Sequence, residues 1–363
     1  MGDLDVRVLA DDLTGALDSA VAFCTPAAGI GVSWWPRAAE RRRLAIDLAT
    51  REGSEADAVG RHLAQASWLF EGETSFKKID SLLRGHVIAE IVAVARGQAY
   101  DRLIVAPAFP FQKRVTLAGR QWRLDRSSPE MAGPDLVAGL GAWRRTGVAR
   151  PGDAPAHPVT VYDARDDADL DRIVESALGA GGKTLWIGTG GLAAALARRA
   201  GVPPRLKPVL PAPLLALVGT DHEVTRGQAA HFARARPEGC FHVGDDVTAD
   251  RLLIAQRIAL GAPSLVTVDA AGTRREAASR IGRVLAQLLD ALPRPGVLLV
   301  TGGETLRSVC DSLGTAYLSI ENEVEPGIPV FRMVGGDFDG QLTLSKSGGF
   351  GTPDLLCRLA GSS

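Results

Sequence analysis

The stretch Val6-Arg7-Val8-Leu9-Ala10-Asp11-Asp12-Leu13-Thr14-Gly15-Ala16-Leu17-Asp18 reads as a short buried strand that runs into two adjacent carboxylates and then a helix. In open α/β sheets ligands bind at that edge, outside the carboxyl ends of the strands. Thr14 and Gly15 suit the tight strand-to-helix turn. Asp11 and Asp12 stand where a carboxylate can bind substrate hydroxyls, bind Mg²⁺ or take a proton. The plainer reading of the pair is a helix cap beside a solvated neighbour, because helix starts commonly carry acids.

Beyond this start, short apolar runs such as Leu103-Ile104-Val105, Leu214-Leu215-Ala216-Leu217-Val218 and Val297-Leu298-Leu299-Val300 alternate with amphipathic stretches at 54–69, 167–178, 189–200, 249–258 and 273–291. That order predicts an α/β chain of two domains, each a mostly parallel sheet covered by helices. The Pro-rich passage 201–213 cannot continue a helix and reads as a connector, which divides the chain into 1–205 and 206–363. Residues 107–158, rich in Pro, Arg and Gly, are expected to form long ordered loops bordering a site.

Composition narrows the partners. With 363 residues, 46% of them hydrophobic, and a formal net charge of −1, the chain has apolar surface for two cores and no general pull toward nucleic acid or an anionic membrane. A small-molecule partner is expected. No apolar run approaches the roughly 20 residues of a membrane span, and the N-terminus shows no secretory pattern, so the expected location is cytoplasmic. Cys24, Cys240, Cys310 and Cys357 are scattered and read as four buried thiols, with neither a disulfide framework nor zinc spacing. The sequence leaves a homo-oligomer open.

Two glycine-rich segments resemble nucleotide motifs. Gly182-Lys183-Thr184 lacks the upstream glycine of a phosphate loop and precedes a strand where it should follow one, so it reads as a helix-to-strand turn. Gly188-Thr189-Gly190-Gly191-Leu192-Ala193 fits the dinucleotide fingerprint, but the acid expected about 20 residues later is missing. A tight turn or an anion-binding turn is the stronger reading.

Other segments carry more chemistry. In Lys77-Lys78-Ile79-Asp80-Ser81-Leu82-Leu83-Arg84-Gly85 a strand delivers an acid, a hydroxyl and an arginine into one loop. Arg84 with Ser81 makes a carboxylate clamp and Asp80 can read hydroxyls, a mixture suited to a sugar acid; the alternative is an Asp or Ser cap with an exposed Arg. In the C-terminal half, Thr301-Gly302-Gly303-Glu304-Thr305 follows a strand and opens a helix, and Ser345-Lys346-Ser347-Gly348-Gly349-Phe350-Gly351 supplies a second glycine-rich turn with a lysine. Exposed backbone N–H groups, a helix N-terminus and Lys346 together suit phosphate.

Taken together these segments, with Ala106-Pro107-Ala108-Phe109-Pro110, resemble the four-carbon acid sugar kinase family, whose N-terminal substrate domain and C-terminal nucleotide domain span the whole chain. The resemblance implies ATP- and Mg²⁺-dependent phosphorylation of a terminal hydroxyl on an acid such as threonate, erythronate or a 3-oxo-tetronate, at an active site in the interdomain cleft. It implies Asp11, Asp12 and Asp80 as catalytic residues and Lys78, Ser81 and Arg84 as substrate ligands. It also implies a nucleotide site of Thr220, His222, Gly302, Gly303, Glu304, Thr305, Lys346, Gly348 and Gly349. Leu82 stands where the family usually has Thr, and Asp221 is an unusual acid in the turn that opens the nucleotide domain. An NAD(P)-dependent oxidoreductase built on Gly188, Gly190 and Ala193, or a sensor without turnover, is the alternative.

Overall fold

A computed structural model describes residues 5–25, 28–35, 43–204, 206–220, 222–268 and 274–361. The chain divides into two compact units, Met1–Pro204 and Arg205–Ser363.

The first unit begins with β1 (Val6–Ala10), α1 (Leu13–Phe23), β2 (Ile30–Trp34), β3 (Leu44–Asp47), α2 (Glu55–Glu71), β4 (Thr74–Lys78), α3 (Val87–Ala95) and β5 (Arg102–Ala106). It continues through β6 (Arg114–Leu117), β7 (Arg120–Arg123), β8 (Glu130–Ala132), α4 (Leu136–Gly141), β9 (Thr146–Ala149), β10 (Val159–Tyr162), α5 (Asp167–Gly179), β11 (Thr184–Gly188) and α6 (Gly190–Arg199). Its main sheet runs β2-β3-β1-β4-β11-β5-β10-β9 with every pairing parallel. Such a sheet is covered on both faces, which is why runs like Leu103-Ile104-Val105-Ala106 are apolar without alternation. The helices start where capping side chains meet orphan N–H groups: Ser54 accepts from Asp57 N at α2 and Asp166 from Asp169 N at α5. From β1 the chain moves through α1 to β2 on one side, whereas α2 carries it back across β1 to β4. The strand order therefore reverses beside β1, and loops leaving the carboxyl ends of β1, β3 and β4 converge there.

Residues 107–158 depart from expectation. They hold a three-stranded antiparallel sheet, β6-β7-β8, together with α4 and β9, in place of long loops. Strands of three or four residues rich in Arg and Gln leave too short a period to read.

The second unit comprises β12 (Leu214–Val218), α7 (Glu223–Ala235), β13 (Cys240–Val243), α8 (Thr248–Ala259), β14 (Ser264–Val268), α9 (Arg274–Leu289), β15 (Val297–Thr301), α10 (Gly303–Ser312), β16 (Tyr317–Glu323), β17 (Pro329–Val334), β18 (Leu342–Lys346) and α11 (Leu355–Leu359). Within the unit the strand order is β13-β14-β12-β15-β18-β17-β16, parallel from β13 to β18 and antiparallel in the last two pairings. Here the order reverses between β12 and β15. Cys24, Cys310 and Cys357 are buried free thiols, while Cys240 is half-buried because β13 is an edge strand. Among the described residues no helix is long and apolar enough to cross a membrane.

Candidate active site

At the end of β1, Asp12 is the N-cap of α1 and accepts from Gly15 N at 2.9 Å. The capping role does not exhaust it. Arg51, in the turn after β3, spans both acids: Nε and Nη2 donate to Asp11 Oδ2 and Oδ1 at 2.7 and 2.8 Å, and Nη1 and Nη2 donate to Asp12 Oδ2 and Oδ1 at 2.5 and 2.7 Å. Nη2 also lies 3.6 Å from Asp80. One planar guanidinium thus sets the orientation of two carboxylates through paired bonds.

The environments of the two acids differ. Asp11 is buried while the Asp12 side chain is 27% exposed. Burial works to raise the Asp11 carboxyl, but Arg51, Lys77 and Lys78 outweigh it and hold Asp11 below the usual carboxylate range. At Asp12 desolvation, reinforced by the Asp11 charge, outweighs Arg51 and Lys78 and raises the carboxyl. A carboxylate pushed upward and open to a ligand is the better proton acceptor of the pair.

The loop after β4 brings Lys78, Asp80, Ser81 and Arg84 to the same edge. Lys78 is buried and donates to Ile79 O at 3.0 Å, and its Nζ would lie 3.0 Å from a Cβ added at Gly15. Asp80 accepts from the backbone N–H groups of Leu82 and Arg84 at 3.0 and 3.2 Å and takes a two-point contact from Arg84, Nε at 2.9 Å and Nη2 at 2.7 Å. Although burial opposes it, the Arg84 hydrogen bond, with Arg51 beside it, holds the Asp80 carboxyl far below its ordinary value. Asp80 is therefore ionised and already occupied, and Arg84, 59% exposed, reaches a ligand only with donors not given to Asp80. Ser81 Oγ donates to Gln112 Oε1 at 2.9 Å, so its oxygen lone pairs remain for a further donor.

Arg51 was not among the residues singled out from the sequence. Thr50-Arg51-Glu52-Gly53-Ser54 looks like a charged turn before a capped helix. A hint was available in its place after an apolar strand, the position that Asp11 and Asp80 share.

In the second unit the predicted residues collect at the carboxyl ends of β12, β15 and β18. Gly219 N donates to Thr301 Oγ1 at 3.2 Å and Thr305 Oγ1 donates to Gly219 O at 3.3 Å, which joins the first loop to the start of α10. His222 caps α7, its Nδ1 accepting from Val224 N at 3.3 Å. The turn after β18 lies on these residues: a Cβ at Gly348 would come within 2.9 Å of both Thr220 Oγ1 and His222 Cβ, so only glycine fits there. Gly349 abuts the His222 ring. The left-handed residue of the Gly-Gly pair is Gly302, at φ 90°, and it caps α10, whereas Gly303 is already helical. Glu304 sits exposed in the first turn of α10. Asp221 lies outside the described residues.

Lys346 is fully buried at the end of β18. Its Nζ donates to Thr225 Oγ1 at 2.8 Å, Thr225 donates on to Gly348 O at 2.7 Å, and burial pushes the ammonium down to about 8. Among the described residues no carboxylate within ion-pair distance offsets this charge. A buried cation beside a glycine turn and a helix N-terminus is what a phosphate would neutralise.

The alternative nucleotide motifs are filled by protein. Thr189 is buried and bonds Ala108 O at 2.7 Å, and Cβ atoms at Gly190 and Gly191 would meet Asp18 Oδ2 at 2.5 Å and Ala108 O at 2.9 Å. Gly182 turns from α5 into β11, and the Lys183 ammonium rests over the Phe70 ring at 5.4 Å. No group of three or more His, Cys, Asp or Glu is placed to hold a metal ion among the described residues.

Two family models match the chain. The family model described as a sugar-binding N-terminal domain matches residues 6–135, and that described as a nucleotide-binding C-terminal domain matches residues 215–356. The D-threonate kinase of Bordetella bronchiseptica is 31% identical over 99% of this chain and 98% of its own length, and that of Cupriavidus necator is 31% identical over 89% of each. The D-erythronate kinase of Heliobacterium modesticaldum is 25% identical over 97% of this chain and 95% of its own. A solved structure of a Haemophilus influenzae protein shares the fold with a TM-score of 0.71 at 20% identity, covering 98% of this chain and 100% of that one. With both halves matched and identity sustained from end to end, the chain belongs to the four-carbon acid sugar kinase family.

Proposed function

We propose that the protein transfers the γ-phosphoryl group of ATP to the terminal hydroxyl of a four-carbon sugar acid, with threonate the first substrate to test. The single observation that carries this reading is the Asp11–Arg51–Asp12 arrangement, in which one of two acids is held ionised and buried while the other is raised and open. Three of the relatives this chain matches along most of its length are D-threonate kinases. That name belongs to them, and it sets the order in which substrates are tried here.

In this reading residues 1–205 bind the acid and 206–363 bind the nucleotide. Asp12 accepts the proton of the attacking hydroxyl, and Asp11 holds Arg51, which holds Asp12 at its angle. Lys78, Ser81 and the donors of Arg84 left over from Asp80 take the substrate carboxylate. Asp80 serves by fixing Arg84, a change from the sequence expectation that it reads hydroxyls directly. On the nucleotide side Lys346, Gly302, Gly348 and the N–H groups at the start of α10 receive phosphates. When bound with the nucleotide, Mg²⁺ would supply charge neutralisation on the transferred phosphate. Phosphoryl transfer is otherwise positioning, so the γ-phosphate must be brought to the hydroxyl that Asp12 faces.

ADP release measured with Mg²⁺ over a panel of three-, four- and five-carbon sugar acids tests the assignment. Turnover confined to four-carbon acids is expected. Turnover of other lengths with equal kcat/KM would contradict it.

Two variants test the division of labour. Gly302→Ala places a side chain at φ 90°, a cost of roughly 1–2 kcal/mol in the turn that caps α10, so ATP affinity falls several-fold while calorimetric binding of the acid alone is unchanged. Loss of acid binding with ATP binding intact would reverse the two halves. Arg84→Lys keeps the charge but not the fork, and the KM for the acid rises far more than that for ATP. Equal changes in both would remove Arg84 from the acid site.

A further inference from the structure

Behind the two acids lies a buried polar cluster that the reaction as described does not use. Glu90 is the single charged residue of α3, in Val87-Ile88-Ala89-Glu90-Ile91-Val92-Ala93-Val94-Ala95, and it is 1% exposed. Its Oε1 accepts from the Thr50 hydroxyl at 2.8 Å and its Oε2 lies 2.9 Å from Lys77 Nζ and 3.6 Å from His62 Nε2. Lys77 comes from β4 and also donates to Lys78 O at 2.9 Å; His62 comes from α2, and its Nδ1 bonds Ala58 O at 2.8 Å. Burial, with the Lys77 charge beside it, pushes His62 down to about 4, so Lys77 is the cation that Glu90 answers at neutral pH. Stability alone is a poor reason for such a group, since a buried ion pair commonly breaks even against apolar residues of the same volume.

Its position suggests another reason. Thr50 adjoins Arg51, and both residues hang from β1 by backbone N–H bonds to Asp11 O at 3.0 and 3.2 Å. The same turn contains Ala49 at φ 50°, a left-handed residue that is not glycine, whose N–H is taken by Asp47 at 2.7 Å. At its far end Gly53 O meets His86 Nε2 at 2.8 Å. A turn in a sparsely populated conformation persists when its surroundings over-determine it. Glu90 supplies a buried side-chain acceptor that grips the turn at the residue next to the arginine.

We propose that Glu90 is a positioning residue for phosphoryl transfer: through the Thr50 hydroxyl it locks the turn that carries Arg51 and so fixes the angle at which Arg51 holds the Asp12 carboxylate toward the substrate hydroxyl. This rests on the kinase reading given above. A displacement near 1 Å at a reacting group can cost about 10²-fold, which makes one hydrogen bond behind the arginine consequential.

The test uses the full chain with Thr50→Val, which preserves shape and removes the bond, and Thr50→Ser, which preserves the hydroxyl. At saturating acid and Mg·ATP, Thr50→Val lowers kcat by about 10- to 100-fold while the KM for ATP stays within about twofold. Thr50→Ser recovers most of the loss. Thr50→Ala carries the same expected loss if the valine variant does not fold. A purely structural threonine would lower the melting temperature and leave kcat per folded molecule unchanged, and that result overturns the proposal. So does a loss that serine fails to restore. If the wild-type chain turns over and Thr50→Val equals it, only the positioning role falls; a wild-type chain that releases no ADP brings down both readings.

Discussion

Asp12→Asn is expected to remove most turnover, about 10²- to 10⁴-fold in kcat, with ATP binding and thermal stability nearly intact. Asparagine still caps α1, because its amide oxygen can accept from Gly15 N as Asp12 Oδ1 does at 2.9 Å. Structural loss is therefore small, and the chemical loss stands alone. The pH profile supplies a second reading of the same residue. Because burial and the Asp11 charge raise the Asp12 carboxyl, the acid limb of kcat/KM lies above the roughly 3.9 of an ordinary aspartate, and activity is lost as pH falls through it. On the basic side Lys346, at about 8, must be protonated to meet phosphate, so kcat/KM for ATP declines as pH rises past that value. An Asn variant with full activity would remove Asp12 from the reaction.

The larger structural effect belongs to Arg51→Met. Removing the guanidinium leaves Asp11 buried and Asp12 half-buried with only Lys77 and Lys78 to answer them, and stranding buried charge in this way costs about 3–5 kcal/mol. The pH dependence follows from the sign of the shifts. In the wild-type protein the folded Asp11 carboxyl lies below its unfolded value, so its pairing stabilises the fold above the unfolded value and that contribution is lost as pH falls through the folded one. Without Arg51 the folded carboxyls move upward, and the folded chain gains by taking protons. The deficit against wild type in denaturant unfolding of the N-terminal unit is thus greatest near neutral pH and shrinks as pH falls and the stranded carboxyls take protons. A deficit independent of pH would mean that Arg51 stabilises by packing and not by holding the two acids.

What could be read from the sequence, and what could not, divides along a physical line. Strands such as Val6–Ala10 and Leu214–Val218 and helices such as α2 and α5 are legible because burial imposes their period locally. The loops after β1, β4, β15 and β18 are legible as candidate sites because the fold class already says which strand ends matter. Pairings across the sheet are not. That Arg51 would bridge Asp11 and Asp12 depends on β3 becoming the neighbour of β1, whereas the Arg84–Asp80 contact is local and depends on how the loop after β4 turns. Glu90 looks like one polar position on an apolar helix until α3 is laid over β4. Which glycine of the Gly302-Gly303 pair is left-handed is not legible either, because that depends on where α10 begins.

The most direct measurement of the central claim is ³¹P NMR of the product formed from D-threonate and Mg·ATP. A phosphomonoester resonance split by the two protons of one CH₂ group is predicted, growing in step with ADP and at least about 10²-fold more slowly with Asp12→Asn. Nucleotide and acid that bind without forming a phosphate ester, or an ester coupled to a single CH proton, would contradict transfer to the terminal hydroxyl.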